Sequence, residues 1–374
     1  MKIRVLHVIE SLTSGGVEQR RLLLARCLDP AKFEQKVVCT FERGPLGDEI
    51  RSSGVSVFPI GKFTSLASYR QYQRLLRIIA EYRPHIIHGA VFEGVTLAMI
   101  CGMLARVPVI IAEETSEPSR RTWRGNLLFR NLTKAADFVV GISPNVTRYL
   151  RNNKVAPHKI CLINNGVREP RFISAELSTE IRARHHVAPT DFLLGTVGRL
   201  QDVVKRFSDV IRAVASLNET KIKILIVGEG NDRAMLEALA VECGIKDRVI
   251  FAGYQFDTAP YYACMDAFVL ASSTEGFGLA IVEAMMFKLP VIATAVGGIP
   301  DIVVENETGL LVPAKSPELL AGKIRFLYEN RQKGILLGEN GYRRAKEHYT
   351  ESVYSANVAN LYQKAIQQKK VNLS

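Results

Sequence analysis

The stretch TEGFGLAIVEAMMFKLPVIATAVGGIPDIVVENETGLLV, residues 274–312, decides the fold of this chain. It contains a Gly-Phe-Gly turn, a helical pattern that begins near Leu279, and apolar runs at 290–293 and 309–312 that are typical of buried strands. The first backbone N–H groups of a helix have no partner within the helix and carry partial positive charge, so the turn suits an anion. Strands that alternate with helices predict a parallel sheet.

The same alternation extends over the whole chain in two series. Strand-like runs occupy residues 3–9, 35–40, 55–59, 86–88, 109–112, 138–142 and 160–163, and then 193–197, 222–227, 249–252, 267–270, 290–293 and 309–312. We therefore predict an α/β protein with two Rossmann-like domains that face each other across a deep cleft, the place where such folds bind ligands. The turn at Asn164-Asn165-Gly166 closes the first series.

That turn places an N-terminal domain at residues 1–167 and a C-terminal domain at 168–353, with a polar connector at 168–190. A last helix at about 354–370 is expected to pack back on the first domain. The composition, with 47% hydrophobic and 23% charged residues, is that of a globular protein. The opening MKIRVLHVIESL predicts a buried strand rather than a signal peptide, and Arg106 and Pro108 break the longest apolar stretch, so no transmembrane helix and a cytoplasmic location are expected.

The net positive charge of the chain lies entirely in its first half. Residues 1–185 hold 28 Lys and Arg against 16 Asp and Glu, and residues 186–374 hold 21 of each. A basic half favours a polyanionic partner, and without a nucleic-acid-binding motif an anionic membrane surface is the preferred one. Residues 119–134, SRRTWRGNLLFRNLTK, fit either an interfacial helix or an ordinary docking helix with a solvated basic face.

Three loops follow strands and carry residues suited to phosphates or sugars. Gly15-Gly16 precedes a helix that includes Glu18, Gly198-Arg199 leads towards Lys205, and the third loop is the Gly276-Phe277-Gly278 turn. Glycines let the backbone approach a ligand, and the two cations can reach a diphosphate. Plain turn chemistry and solvated loop cations are the alternatives.

With these loops in this order, the sequence resembles the retaining glycosyltransferases of family 4, which have the GT-B fold. The resemblance covers nearly the whole chain and is most specific at 275–312. The residues that carry it are Gly15-Gly16 with Glu18, Gly198-Arg199-Leu200 with Lys205, Val227-Gly228-Glu229-Gly230, Glu275-Gly276-Phe277-Gly278 with Glu283, Gly297-Gly298-Ile299-Pro300-Asp301 and Gly309-Leu310-Leu311-Val312.

The resemblance implies a role for each of these residues. Glu283 would hold the ribose hydroxyls of a nucleotide-sugar donor, and Glu275 would meet the transferred sugar. Arg199 and Lys205 would neutralise the leaving diphosphate. The backbone of Gly15, Gly16 and Gly198, and that of the turn Gly276, Phe277, Gly278 and Leu279, would approach the donor. Gly253-Tyr254 would lie near its base. The implied activity is transfer of a hexose-type sugar to a glycan acceptor, lipid-linked, with retention of configuration, for polysaccharide or lipopolysaccharide assembly. No cofactor and no metal are expected, since the chain has no Asp-x-Asp motif.

Two positions depart from the family pattern. Glu113-Glu114-Thr115 stand where many members have a histidine, which makes Glu114 a candidate group at the reaction centre, with a solvated loop acid as the alternative. The spacing from Arg199 to Lys205 is one residue longer than usual, which leaves Arg206 as a substitute for Lys205.

Three other functions are weighed against transfer. A GT-B nucleotide-sugar epimerase could share a diphosphate site, but it would not explain the basic half. A dinucleotide-binding oxidoreductase would need a third glycine where Arg233 stands. A non-catalytic protein built on an inactive transferase conflicts with the presence of Glu275 and Glu283 together with the two cations.

Overall fold

The computed structural model describes residues 1–13, 15–116 and 123–373. The chain forms two compact units, which we call unit 1 (Met1–Gly166 with Glu351–Ser374) and unit 2 (Val167–Thr350). The segment expected as a polar connector contains a helix of unit 2, α7 (Ala175–Arg184), in which Ile181 is the buried residue. Within the described residues, no helix is both long and apolar enough to span a bilayer.

Unit 1 is built on a parallel sheet of seven strands within its described residues, in the order β3-β2-β1-β4-β5-β6-β7. The strands are β1 Ile3–Leu12, β2 Phe33–Glu42, β3 Ser56–Pro59, β4 Ile86–Ala90, β5 Val109–Glu114, β6 Phe138–Gly141 and β7 Ile160–Leu162. The helices between them are α1 Gly16–Cys27, α2 Leu46–Ser52, α3 Tyr69–Tyr82, α4 Val91–Leu104, α5 Trp123–Ala135 and α6 Pro144–Asn152.

Unit 2 repeats this plan with six described strands in the order β10-β9-β8-β11-β12-β13. These are β8 Phe192–Val197, β9 Ile222–Val227, β10 Val249–Gly253, β11 Ala267–Leu270, β12 Val291–Thr294 and β13 Leu310–Val312. The helices are α7 Ala175–Arg184, α8 Asp202–Lys205, α9 Phe207–Ala215, α10 Arg233–Glu242, α11 Ala259–Ala263, α12 Leu279–Met286, α13 Ile299–Ile302, α14 Pro317–Glu329 and α15 Arg331–His348. Both series of predicted strands are confirmed.

The order of strands reverses direction once in each sheet, between β1 and β4 and between β8 and β11. Helices that follow the two strands at such a switch point leave on opposite faces, so their loops separate and open a crevice at the carboxyl ends of the strands. Each unit therefore has one position where its topology favours a ligand.

The last helix, α16 (Glu351–Gln368), belongs to unit 1. An apolar stripe that includes Tyr354, Val358, Leu361 and Ile366 packs with α1 on one face of the sheet. Burial of each such side chain stabilises the unit by roughly 1.5–3 kcal/mol. The other face of the sheet is covered by apolar residues of α3, α4 and α5.

A polar network lies inside this apolar layer. Arg21 of α1 is fully buried and pairs with Glu113 at the end of β5, and Nε2 of His88 lies 3.1 Å from the Glu113 carboxylate. Nδ1 of His88 lies 2.7 Å from the Tyr362 hydroxyl of α16. His7 lies beside His88 in the β1–β4 register and contacts Arg21 through Nδ1 at 3.4 Å. The network thus joins three strands to two helices.

The network holds its histidines neutral. Burial lowers the pKa of His7 well below its usual value and also lowers that of His88, and in both cases the Arg21 charge acts in the same direction. Because arginine only donates, Nδ1 of His7 must accept, and its Nε2 donates to Gln35. Burial by itself would raise the pKa of Glu113, but Arg21 and His88 outweigh it and bring the value to about 2.

We expect unit 1 to lose stability as the pH falls below about 6.5, the usual histidine pKa. The unfolded chain then binds protons that the folded histidines reject, so the free energy of unfolding decreases with falling pH. Glu113 adds to this loss only below its usual pKa of about 4.5. Urea unfolding at a series of pH values gives the free energy of unfolding as a function of pH. Below about pH 6.5 this free energy should fall less steeply with falling pH, that is with a smaller slope, in His7→Asn/His88→Gln than in wild type. The control is His158→Gln, which replaces an exposed histidine of the same unit; equal slopes in all three proteins would contradict the assignment.

Candidate functional site

The switch point of unit 2 brings together most residues of the predicted donor site. Gly198 and Arg199 directly follow β8, Glu275 lies in the loop after β11, and Lys205 ends the one-turn helix α8. Lys205 Nζ lies 2.6 Å from Glu275 Oε2, so an ion pair of two half-buried groups spans the switch point. Ser272 also donates to Glu275 Oε2, at 3.3 Å.

Local hydrogen bonds decide that Lys205, rather than Arg206, faces Glu275. The Ser273 N–H donates to the Val204 carbonyl at 2.8 Å, which ties the end of α8 to the loop after β11. Arg206 takes a positive φ of 54° and turns its guanidinium to Asp209, at 2.6 and 2.9 Å. The additional residue between Arg199 and Lys205 is therefore accommodated by α8 and by the left-handed backbone of Arg206.

Arg199 is exposed at the end of β8. Among the described residues, its guanidinium has no hydrogen-bond or ion-pair partner. A guanidinium is a fork of donors that fits phosphate oxygens, so this position suits a phosphate ligand.

The Gly276-Phe277-Gly278 turn supplies backbone donors next to the ion pair. Gly278 has a φ of 107° and precedes α12. Within the part of the chain that the structure describes, the amides of Phe277, Gly278 and Leu279 donate no hydrogen bond. The Phe277 ring is buried edge-on against Tyr349, with ring centroids 5.6 Å apart, and so anchors the turn. The turn presents its backbone, not its side chain, as predicted for an anion site.

Two glycines bring the neighbouring loops to this point. Gly228, after β9, has a φ of 142°, and a Cβ there would overlap the Gly198 carbonyl oxygen. Gly297, after β12, has a φ of 56°, and a Cβ there would overlap the Glu275 carbonyl oxygen. Both backbones therefore approach at distances that only glycine permits.

The second acid of the predicted pair lies on α12. Glu283 accepts a hydrogen bond of 2.8 Å from the Tyr262 hydroxyl of α11. Burial raises the pKa of Tyr262, and the Glu283 carboxylate adds to the effect. Tyr262 is a residue that sequence analysis missed, because nothing in the pattern links two positions 21 residues apart.

The remaining predicted contact of unit 2 lies at the end of β10. The Gly253 carbonyl accepts from the Gly228 N–H at 2.9 Å, so the loop after β10 is joined to the one after β9. Tyr254 follows and is half-exposed, while a salt bridge between Glu229 and Arg233 lies near Gly253. These residues border the loops of the switch point.

In unit 1 the predicted residues lie at the carboxyl edge of the sheet. Gly15 and Gly16 begin α1, and Glu18 accepts from Ser11 at 3.0 Å and from Thr13 at 3.2 Å. Ser14 falls outside the described residues. Glu114 ends β5, is buried, and accepts from the Thr115 N–H at 3.2 Å.

Two further acids of this edge were missed by the sequence analysis. Burial raises the pKa of Glu10, and the charges of Glu93 and Glu18 raise it further. Glu93 lies in the first turn of α4, two residues after Val91, whose φ of 63° is a strained value for a β-branched residue. The edge is therefore acidic and suits hydroxyl groups better than phosphates. Within the described residues, no cluster of His, Cys, Asp and Glu side chains could hold a metal ion.

Residues 119–122 of the predicted interfacial segment, which include Arg120 and Arg121, lie outside the described residues. The rest forms α5, in which Phe129 and Leu132 are buried and Leu127 is exposed. The described part therefore has the apolar contacts of a helix that docks on the sheet.

Comparison with known proteins identifies the family. Residues 14–170 match the model described as Glycosyltransferase Family 4, and residues 178–344 match the one described as Glycosyl transferases group 1. N-acetyl-alpha-D-glucosaminyl L-malate synthase from Bacillus anthracis is 28% identical over 64% of this chain and 61% of its own length. A lipopolysaccharide core biosynthesis mannosyltransferase from Rhizobium leguminosarum is 26% identical over 75% of this chain and 78% of its own. The chain spans about half the length of several other curated relatives that it matches.

The fold is shared with solved structures. Anabaena HepE, crystallised with UDP and also with UDP-glucose, has a TM-score of 0.86 at 21% identity, and the match with the UDP complex covers 97% of this chain and 100% of HepE. At this identity the likeness establishes the fold alone. Two Rossmann-like units in sequence with these neighbours define the GT-B fold. With both family models matched in order along the two units, this chain belongs to the family 4 glycosyltransferases of the GT-B fold.

Proposed function

We propose that this chain transfers a hexose-type sugar from a nucleoside-diphosphate sugar to a lipid-linked glycan acceptor, in polysaccharide or lipopolysaccharide assembly. The observation that carries the donor half of this proposal is the Lys205–Glu275 ion pair across the unit 2 switch point. It lies next to the amides of 277–279, which donate no hydrogen bond to any described residue. Family membership favours transfer over epimerisation. The Anabaena neighbour that binds UDP and UDP-glucose supports a nucleotide-sugar donor.

Each donor group has a residue of matching chemistry. The diphosphate would contact Arg199, Lys205 and the backbone amides of the turn, since all of these donate hydrogen bonds and carry positive charge or partial charge. A phosphate oxygen that reaches Lys205 competes with Glu275 for the ammonium group. The Glu275 carboxylate is then released to accept from sugar hydroxyls, so that binding of the two ends of the donor is coupled.

The ribose would be held by Glu283. A carboxylate accepts hydrogen bonds from both hydroxyls of a vicinal diol, and the Tyr262 hydroxyl orients the Glu283 carboxylate by donating to Oε2. The base would lie near Gly253 and Tyr254, beside the loop that Gly228 brings close.

In the proposed reaction the bond between the anomeric carbon and the diphosphate oxygen breaks while the acceptor hydroxyl forms a bond on the same face. The departing phosphate oxygen takes the acceptor proton. Because the new bond forms on the face that the diphosphate leaves, the configuration of the anomeric carbon is retained. Arg199 and Lys205 stabilise the charge that grows on the diphosphate, and each such contact contributes about 2–4 kcal/mol to transition-state stabilisation. Their charge replaces that of a metal ion, so the reaction is proposed to be metal-independent.

The acceptor would bind at the carboxyl edge of unit 1, where Gly15, Gly16 and Glu114 lie. Carboxylates suit a hydroxyl-rich glycan, and Glu114 would orient the acceptor or stabilise positive charge on the anomeric carbon. The positive charge of the first half of the chain supports peripheral association with the inner face of a membrane, where a lipid-linked acceptor resides.

The donor class is tested by thermal shift with UDP, GDP, ADP, CMP and NAD. One nucleoside diphosphate is expected to raise the melting temperature, because a ligand at about a hundred times its Kd stabilises by roughly 2.7 kcal/mol. Arg199→Ala/Lys205→Ala should lose that shift. Arg206→Ala is the matched control and should keep it, since Asp209 already holds that guanidinium. The proposal would be contradicted if NAD alone raised the melting temperature, or if the increase persisted in the double variant.

The ribose contact is tested by donor kinetics. Glu283→Gln should raise the donor KM by about tenfold or more, as loss of a charged hydrogen bond costs roughly 1.5–3 kcal/mol. Tyr262→Phe should raise KM by a few fold with little change in kcat, because it removes one hydrogen bond that orients the Glu283 carboxylate. Tyr261→Phe removes the neighbouring hydroxyl and should behave as wild type; the same KM in all four proteins would exclude Glu283 from the ribose site.

Glu114 is tested by slow hydrolysis of the donor, followed as release of nucleoside diphosphate. Glu114→Gln should lower this rate by about 10²-fold or more if the carboxylate stabilises the reaction centre. The nucleotide-induced thermal shift should stay unchanged, because the diphosphate contacts lie in unit 2. An unchanged rate would remove Glu114 from the site.

A further inference from the structure

The excess positive charge of the chain is confined to unit 1. This unit carries 27 Lys and Arg against 14 Asp and Glu, whereas unit 2 carries 22 against 23. The edge of unit 1 where the acceptor is proposed to bind is acidic. The excess cations are therefore found on other elements than those that carry these acids, and three of them line up on α3.

Arg70, Arg74 and Arg77 are spaced i, i+4 and i+7 along α3, which puts them on one helix face. The opposite face carries the buried residues Leu75, Ile79 and Tyr82. None of the three arginines pairs with a carboxylate in the described ranges 1–13, 15–116 and 123–373. Their charge is thus available to an external anion.

A groove of about 290 Å³ runs between α3 and the edge strand β3. Its lining is apolar except for Arg74 and Arg77, with Phe58, Ile60 and Ile78 among the apolar residues. Lys36 adds a further cation, 5.6 Å from the centre of the Phe58 ring. An apolar floor with a cationic rim fits an amphiphile that has an apolar chain and an anionic head.

Apolar side chains protrude next to this groove. Leu66 is 51% exposed and Tyr69 is 68% exposed, in the segment that leads from β3 into α3. Aromatic and leucine side chains beside arginines are typical of elements that lie in a membrane interface. The segment follows the carboxyl end of β3, so it lies at the same edge of the sheet as Gly15, Gly16 and Glu114.

We propose that Leu66, Tyr69, Arg70, Arg74, Arg77 and the groove, together the α3 surface, dock on an anionic lipid bilayer. Headgroup phosphates contact the arginines, and Leu66 and Tyr69 enter the interface. This inference deepens the membrane partner proposed above and rests on it. Docking at this edge turns the acceptor-side loops of unit 1 towards the lipid, where a lipid-linked glycan is carried.

An acidic peptide added to the edge strand is the competing occupant. β3 is short and ends at Pro59, which has no backbone N–H to donate, so it is a poor template for strand addition. The protruding Leu66 and Tyr69 would also remain uncovered by a strand. These two observations favour the bilayer.

The test is sedimentation of the full chain with vesicles of phosphatidylcholine alone or with added phosphatidylglycerol. Wild type should bind the anionic vesicles and release them at high salt. Arg70→Glu/Arg77→Glu should weaken binding at least about tenfold, since each basic residue near an anionic surface contributes about fivefold. The matched control is Arg148→Glu/Arg151→Glu, which makes the same charge change at exposed positions of α6 and should retain most of the binding.

Three results would overturn the proposal: no binding of wild type to anionic vesicles, equal losses in the two variants, or capture by poly-glutamate without vesicle binding. Melting temperatures of the variants report whether they fold. The nucleotide-induced thermal shift separates this proposal from the proposed function. If the protein binds vesicles through α3 but shows no nucleotide-induced thermal shift, the docking proposal stands and the proposed donor site is contradicted.

Discussion

The proposed donor site rests on the close approach of backbone loops at the reversal of strand order in unit 2. The loops after β8 and β11 leave the unit 2 sheet in opposite directions, and Lys205 and Glu275 meet between them. The loops after β9 and β12 press against them through Gly228 and Gly297, where a side chain would collide with a carbonyl oxygen. A Cβ at either glycine would push apart the groups that we propose contact the donor diphosphate.

The strands and the loops of the proposed donor site could be predicted because both depend on short, continuous sequence patterns. Buried parallel strands appear as continuous apolar runs, and the glycine turns follow them at short distance. The sequence predicts a connector where α7 lies, because Ile181 is the one buried residue of this helix. A single buried position gives too little apolar periodicity to indicate a helix. Whether Lys205 or Arg206 faces Glu275 depends on the sign of φ at Arg206, which the spacing from Arg199 does not reveal.

Side-chain contacts between residues that are distant in sequence could not be predicted, for a different reason. Tyr262 of α11 meets Glu283 of α12 across 21 residues of sequence. Tyr362 meets His88 across 274 residues because α16 returns to unit 1. A buried ion pair such as Arg21–Glu113 adds little net stability, since desolvation opposes the attraction. Its hydrogen-bonding partners do constrain geometry: the apolar stripe of α16 could slide along the sheet, whereas the Tyr362 hydroxyl meets His88 in one register.

The same network has a consequence for the acceptor side. Neighbouring residues of a strand point to opposite faces, so anchoring Glu113 to Arg21 on one face fixes the direction of Glu114 on the other. Unit 1 thereby places carboxylates at its switch point, while unit 2 places cations at the equivalent position. The local charges are opposite to the net charges of the two units, since unit 1 is the basic one. The proposed donor contacts thus lie outside the basic unit, and α3 of unit 1, where arginines line an apolar groove, is the surface to which we assign its positive charge.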